Sequence, residues 1–373
     1  MNTAQHDYLI PGGGASITAL PKVSLHDHLD GGLRPQTIIE LADEIALDLP
    51  ATSANALGDW FAESSNSGSL VEYLKTFDVT TGVMQTRGGL ERVAREFVQD
   101  LHADGVVYGE IRWAPEQHLT RGLSLDEAVE AVQDGIDAGI DDVTDAGGRI
   151  QVGQLVSAMR HTDRALEIAE LAVRHRHNGV VGFDIAGPED GFPPSRIRAA
   201  FDYLAEHCFP ATVHAGEAAG LDSIRSALID GRALRLGHGV RLAEDLSLDD
   251  GDGDNRFVEL GELAQWVRDR EIALETSPSS NLQTGAIAQW GDQLGDHPFD
   301  VFYQLGFRVT VNPDNRLMSG TTLSRELSLL CDTFGYSLGD LEVFQLNAAD
   351  ASFLSLDERA DLAEYISAEF ARA

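Results

Sequence analysis

His26 and His28 stand two residues apart in Leu25-His26-Asp27-His28-Leu29-Asp30-Gly31, at the end of what reads as an N-terminal strand. Side chains alternate along a strand, so both imidazoles point to one face and can reach one metal ion. Later strand-like runs end in the same way. His214 and Glu217 fall in Val213-His214-Ala215-Gly216-Glu217, His238 in Leu236-Gly237-His238-Gly239, and Asp314 in Val311-Asn312-Pro313-Asp314-Asn315. A single histidine after a strand is most often a cap or a satisfied core residue. His26, His28, His214, His238 and Asp314 together, at four strand ends and with glycines opening the backbone, need a different explanation. Imidazole nitrogens from His26, His28 and His214 with a carboxylate oxygen from Asp314 suit zinc or another borderline divalent ion. A remaining open position would hold water, whose pKa metal binding lowers from about 15.7 toward ~7. Glu217 and His238 are not needed as ligands. They can supply the proton donor and the base of a hydrolysis.

A scaffold must bring these strand ends together. Apolar, β-branched runs occur at residues 105–113, 149–157, 179–185, 211–214, 233–237, 272–275 and 308–311, and the segment before His26 makes eight. Helical patterns lie between them, including residues 90–103, where Leu90, Val93, Ala94, Phe97, Val98 and Leu101 trace one apolar stripe. Eight strands alternating with helices predict an α/β fold, a closed parallel (β/α)8 TIM barrel. Its active site belongs at the C-terminal ends of the strands, where the polar residues fall. Residues 51–82, with Trp60, Phe61, Tyr73 and Phe77, read as a helical insertion after the first strand, either core packing or the wall of a substrate mouth. Helical segments after the eighth strand run on with no linker, so residues 1–373 are expected to form a single domain.

Composition narrows the partners. The chain has 61 acids against 27 bases, a formal charge of −34, and only Lys22 and Lys75 are lysines. Such a surface repels phosphate backbones and anionic lipid, so neither nucleic acid nor a membrane is an expected partner. Cys208 and Cys331 make neither a disulfide framework nor a cysteine-based zinc site. Residues 1–10 lack the basic start and apolar stretch of a signal peptide, no run is long enough to span a bilayer, and the expected location is cytoplasmic. The acidic run 249–255 looks like a calcium loop but lacks the glycine and glutamate of an EF-hand, and reads as a solvated surface loop.

Five separated motifs resemble the adenosine deaminase family of zinc-dependent (β/α)8 amidohydrolases: residues 21–31, His214-Ala215-Gly216-Glu217, Leu236-Gly237-His238-Gly239, Ser277-Pro278-Ser279-Ser280-Asn281 and Val311-Asn312-Pro313-Asp314. Residues 108–115 are similar to the family's second strand. The resemblance implies one Zn2+ per chain on His26, His28, His214 and Asp314. Glu217 would protonate purine N1, and His238 would orient the attacking water and take its proton. Substrate contacts would come from His28, from Asp30 to a ribose hydroxyl and from the Gly187 N–H to purine N3. The implied reaction is hydrolytic deamination of adenosine, and of 2′-deoxyadenosine, to inosine or 2′-deoxyinosine and ammonia in purine salvage, with nucleoside and water as the partners.

Two positions depart from the family's pattern. Pro313 replaces a threonine, removing a backbone donor beside a ligand. Asn315 replaces the acid that meets purine N7. An amide donates to N7 without needing a proton, so Asn315 is compatible with a purine. Deamination of another 6-aminopurine, adenine or a 5′-modified adenosine, is the nearest alternative. A non-catalytic nucleoside-binding relative is a more distant one. Asp30 opposes a nucleoside monophosphate, whose phosphate an acid near the 5′ position would repel.

Overall fold

The computed structural model describes residues 7–12, 14–249 and 257–373. Most of the acidic run 249–255, and residues 1–6 of the N-terminal stretch, lie outside the described residues.

The parallel strands are β1 (Lys22–His28), β2 (Val106–Trp113), β3 (Gln151–Met159), β4 (Val180–Ala186), β5 (Thr212–Ala215), β6 (Arg235–His238), β7 (Ala273–Thr276) and β8 (Val309–Val311). Strands β1 to β4 pair in sequence order, and so do β5 to β8. Two short parallel bridges join the halves. Phe183 N–H donates to the Pro210 carbonyl at 3.1 Å between β4 and β5. Past β8, His28 N–H donates to the Asp314 carbonyl at 2.8 Å, and Asp314 N–H to the His26 carbonyl at 3.0 Å. The expected (β/α)8 barrel is therefore closed, leaving no open sheet edge. Its strands are buried almost throughout, which is why they read as apolar runs rather than alternating ones.

The closure is made at the candidate site. Asn312 Oδ1 accepts from the N–H groups of Leu25 and His26 at 3.0 and 3.1 Å, filling the gap between β8 and β1. Pro313 lacks an N–H, but its neighbours keep theirs satisfied, Asn312 on Thr276 O and Asp314 on His26 O.

Five helices separate β1 from β2. Pro35–Ile45 precedes the insertion, whose members are Ala54–Ser65, Leu70–Leu74 and Phe77–Val83; Arg87–Ala103 then leads into β2. The insertion's side chains divide between two surroundings. Phe61 and Tyr73 are buried in the core, whereas Phe77 meets the His28 ring edge-on at 6.5 Å. Arg87–Ala103 buries the predicted stripe from Leu90 to Leu101. It packs against Leu125–Asp145, which opens on a capping box between Ser124 and Glu127. A Cβ on Gly135 would lie 2.2 Å from the Glu91 carbonyl, so glycine permits the close approach of these two helices.

Past β8 come the short helix Arg316–Ser319 and three longer ones, Leu323–Phe334, Leu338–Ala351 and Leu356–Phe370. An antiparallel hairpin pairs Leu246–Asp249 with Phe257–Leu260, a feature the acidic sequence between them conceals. Among the described residues no helix is long and apolar enough to cross a membrane.

Candidate active site

Strand ends bring all the predicted polar residues to one mouth of the barrel. His26 and His28 share a face of β1, His214 lies in β5, His238 ends β6, and Asp314 follows β8. His238 and Asp314 adopt left-handed backbone, with φ of 65° and 60°. For residues with a side chain this costs of order 1–3 kcal/mol each, and such strain persists where surrounding structure enforces it.

The nitrogen and oxygen atoms converge closely. Asp314 Oδ1 lies 3.2 Å from His26 Nε2 and 3.4 Å from His28 Nε2, and His28 Nε2 is 3.3 Å from His214 Nε2. Ligand-capable atoms of His26, His214, His238 and Asp314 all fall within 4.8 Å of one another. That group holds three of the four candidate ligands together with His238, and His28 joins it through its contacts with Asp314 and His214. His238 Nε2 also faces Glu217 Oε2 at 3.6 Å.

Carboxylates behind the rings orient two of them. Glu275 Oε2 is 3.0 Å from His26 Nδ1, and Asp184 Oδ1 is 3.0 Å from His214 Nδ1, leaving each Nε2 for the mouth. Arg112 reaches both acids, Glu275 at 2.6 Å and Asp184 at 3.5 Å, and Arg235 reaches Glu275 at 2.5 Å. Burial would raise the Glu275 carboxyl, but the two guanidinium groups outweigh it and hold it well below the usual carboxylate range. Burial lowers His26 to about 4, with Arg112 adding to the effect, and it lowers His28 as well. For His214 the charge of Asp184 overcomes burial and raises the ring. Asp314, which burial would raise, is held well below its ordinary value by the surrounding histidines.

These residues fit a divalent metal ion. His26 Nε2 is fully buried without a hydrogen-bond partner, although Asp314 is near. An orphaned ring nitrogen beside two more imidazoles and an ionised carboxylate is what a metal would satisfy. The carboxylate–histidine pairs behind it are the usual way of fixing ligand tautomers.

Glu217 is held by its own backbone. The Glu189 carboxylate accepts from the N–H groups of Gly216, Glu217, Ala218 and Ala219 at 2.7 to 3.0 Å, and from Ser223 Oγ at 2.5 Å. Burial raises the Glu217 carboxyl; the His238 ring opposes the shift, while Asp314 and Glu189 reinforce it. A cavity of about 560 Å3 opens over Glu217, walled by residues 68–71 of the insertion, Pro188, Phe192 and Arg241. That volume lies within the range of small-molecule sites.

The remaining predicted residues adjoin residues already placed: Gly187 precedes Pro188 of the cavity wall, Asp30 stands beside His28, and Asn315 follows Asp314. Gly187 has φ of 95°, and a Cβ there would meet Met159 Cε at 3.1 Å. Asp30 is buried, 3.8 Å from His28 Nδ1, and burial pushes its carboxyl up to about 7. Asn315 packs against Gly31, with its Oδ1 buried and without a hydrogen-bond partner.

Sequence reasoning assigned no role to Glu275, Asp184, Glu189, Arg112, Asn281 or His297. Glu275 and Asp184 did carry a signal, as charged residues inside otherwise apolar strands. Asn281 lies in a quoted motif and contacts His238 Nδ1 at 3.0 Å. Nothing near His297 in the sequence marks it.

A family profile described as "Adenosine deaminase" matches residues 21–369. The chain is 55% identical to "Adenosine deaminase 1" of Streptomyces coelicolor, over 92% of this chain and 85% of that one. It is 52% identical to "Adenosine deaminase" of Mycobacteroides abscessus, over 92% and 93%. Among solved structures, the adenine deaminase of Arthrobacter aurescens superposes with a TM-score of 0.81 at 24% identity, covering 95% of this chain and all of that one, and so shares the fold. The chain belongs to the adenosine deaminase family.

Proposed function

We propose that the chain is a zinc-dependent adenosine deaminase, converting adenosine and 2′-deoxyadenosine with water to inosine or 2′-deoxyinosine and ammonia. The observation that carries this reading is the convergence of His26, His28, His214 and Asp314 beside Glu217 and His238, with a cavity of about 560 Å3 opening at Glu217. Identity of 52% and 55% to curated adenosine deaminases supports the substrate.

His26, His28, His214 and Asp314 would hold one zinc ion, which when bound supplies a water acidified toward neutral pH. Glu217, whose carboxyl burial raises, donates its proton to purine N1 and so draws electrons from C6. His238 orients the water whose oxygen forms the new bond to C6. The resulting tetrahedral carbon then breaks its bond to the exocyclic nitrogen. Of the water's two protons, one goes to that nitrogen, which leaves as ammonia, and the other restores the Glu217 carboxyl, while C6 is left as a carbonyl. Gly187 N–H meets purine N3, the Asn315 amide donates to N7, and Asp30 bonds a ribose hydroxyl beside His28.

The same reading makes residues 1–373 one domain that works in the cytoplasm in purine salvage. Two free cysteines, Cys208 and Cys331, are consistent with a reducing compartment.

Ammonia release tests it across adenosine, 2′-deoxyadenosine, adenine, adenosine monophosphate and 5′-modified adenosines. Adenosine should have the highest kcat/KM and the monophosphate one of the lowest. Faster turnover of adenine or of a 5′-modified adenosine would overturn the substrate.

A further inference from the structure

His238 is held from behind by a chain of hydrogen bonds anchored on two backbone N–H groups. Phe299 N–H donates to His297 Nδ1 at 3.0 Å, so a neutral His297 carries its proton on Nε2. Burial, with the His238 ring adding to it, holds His297 down to about 3, so the ring is neutral. His297 Nε2 lies 3.2 Å from Asn281 Oδ1, and Ser277 N–H donates to the same oxygen at 3.2 Å. Two donors thus claim the amide oxygen. The amide nitrogen is left for His238 Nδ1, 3.0 Å away. Because an amide nitrogen only donates, Nδ1 of His238 is the acceptor. The proton of the neutral ring then sits on Nε2, the atom facing Glu217 at 3.6 Å. The opposite tautomer would set two buried donors face to face, since Asn281, His297 and His238 are at most 2% exposed.

We propose that Asn281 and His297 are positioning residues that lock His238 as the Nε2–H tautomer, so that its ring holds the attacking water by donating to the water oxygen and does not take the water's proton, the role the family resemblance implied for it. The proposal rests on the reading that His238 faces that water.

The test is the 15N shift of both ring nitrogens of His238 in the zinc-loaded, histidine-labelled protein, assigned with a His238→Asn variant and recorded without substrate. Nδ1 should show the downfield shift of an unprotonated nitrogen and Nε2 the upfield shift of a protonated one. The reverse pattern would overturn the proposal, whether or not any variant folds. Asn281→Asp replaces the donor by an acceptor. It should move the proton to Nδ1 and lower kcat at least about tenfold, with KM changed less than about threefold. His297→Gln, which keeps a donor for Asn281, should retain the native pattern, while His297→Leu should not. An unchanged tautomer or an unchanged kcat in Asn281→Asp would count against the proposal. If the native tautomer is found but no purine releases ammonia, the assigned function fails and the hydrogen-bond chain stands.

Discussion

Glu217 can act as an acid only while it holds its proton. Burial raises its carboxyl, and Asp314 and Glu189 add to the shift. The sign follows: the working form is present below the raised pKa and is lost as pH climbs through it. A plot of kcat against pH should therefore fall on its alkaline side, and Glu217→Gln should remove that limb while lowering kcat about 10²–10⁴-fold with purine binding retained. Near-native turnover in the variant would take Glu217 out of the reaction. The histidines and Asp314 were legible because a period-two repeat and strand-end positions are local properties of a sequence. The roles of Glu275, Asp184 and Arg112 were not, because a charge in a buried strand is assigned its role only by the partner it finds. That partner is separated from it by 163 residues between Arg112 and Glu275, and by 72 between Arg112 and Asp184.

Secondary structure was read best where burial is complete. The barrel strands are buried on both faces, so their apolar runs survive in the sequence, and all eight fall where those runs lie. The insertion was harder to resolve into parts. Two of its helices, Leu70–Leu74 and Phe77–Val83, have only 5 and 7 residues, too short for a helical period to stand out. The hairpin at Leu246–Asp249 and Phe257–Leu260 was hidden by the acidic residues that join its strands. A packing claim can be checked between Arg87–Ala103 and Leu125–Asp145. Gly135→Val would force a Cβ into the Glu91 carbonyl and push the helices apart. Overpacking of this kind costs about 1–3 kcal/mol. The urea midpoint should fall by a corresponding amount, and an unchanged midpoint would show that the approach is looser than described.

The whole molecule carries a formal charge of −34, and its acids repel one another across the surface. Added salt screens such repulsion, with a Debye length near ~10 Å at 0.1 M. The thermal midpoint should therefore rise as NaCl is increased from low ionic strength. A midpoint that is flat or falls would mean that ion pairs such as Arg95 with Asp142 and Arg174 with Asp126 outweigh the net repulsion. The excess of acid was plain in the composition. The closure of the barrel was not, because it depends on Asn312 and Asp314 meeting β1 from the far end of the chain. That same closure gathers the ligand set, so the central claim is best tested by metal titration of the intact protein. Protein stripped by a chelator should not convert adenosine to inosine, and activity should return linearly with added zinc and level off at about one ion per chain. Full activity in the stripped protein, or a plateau only at a different stoichiometry, would contradict the account.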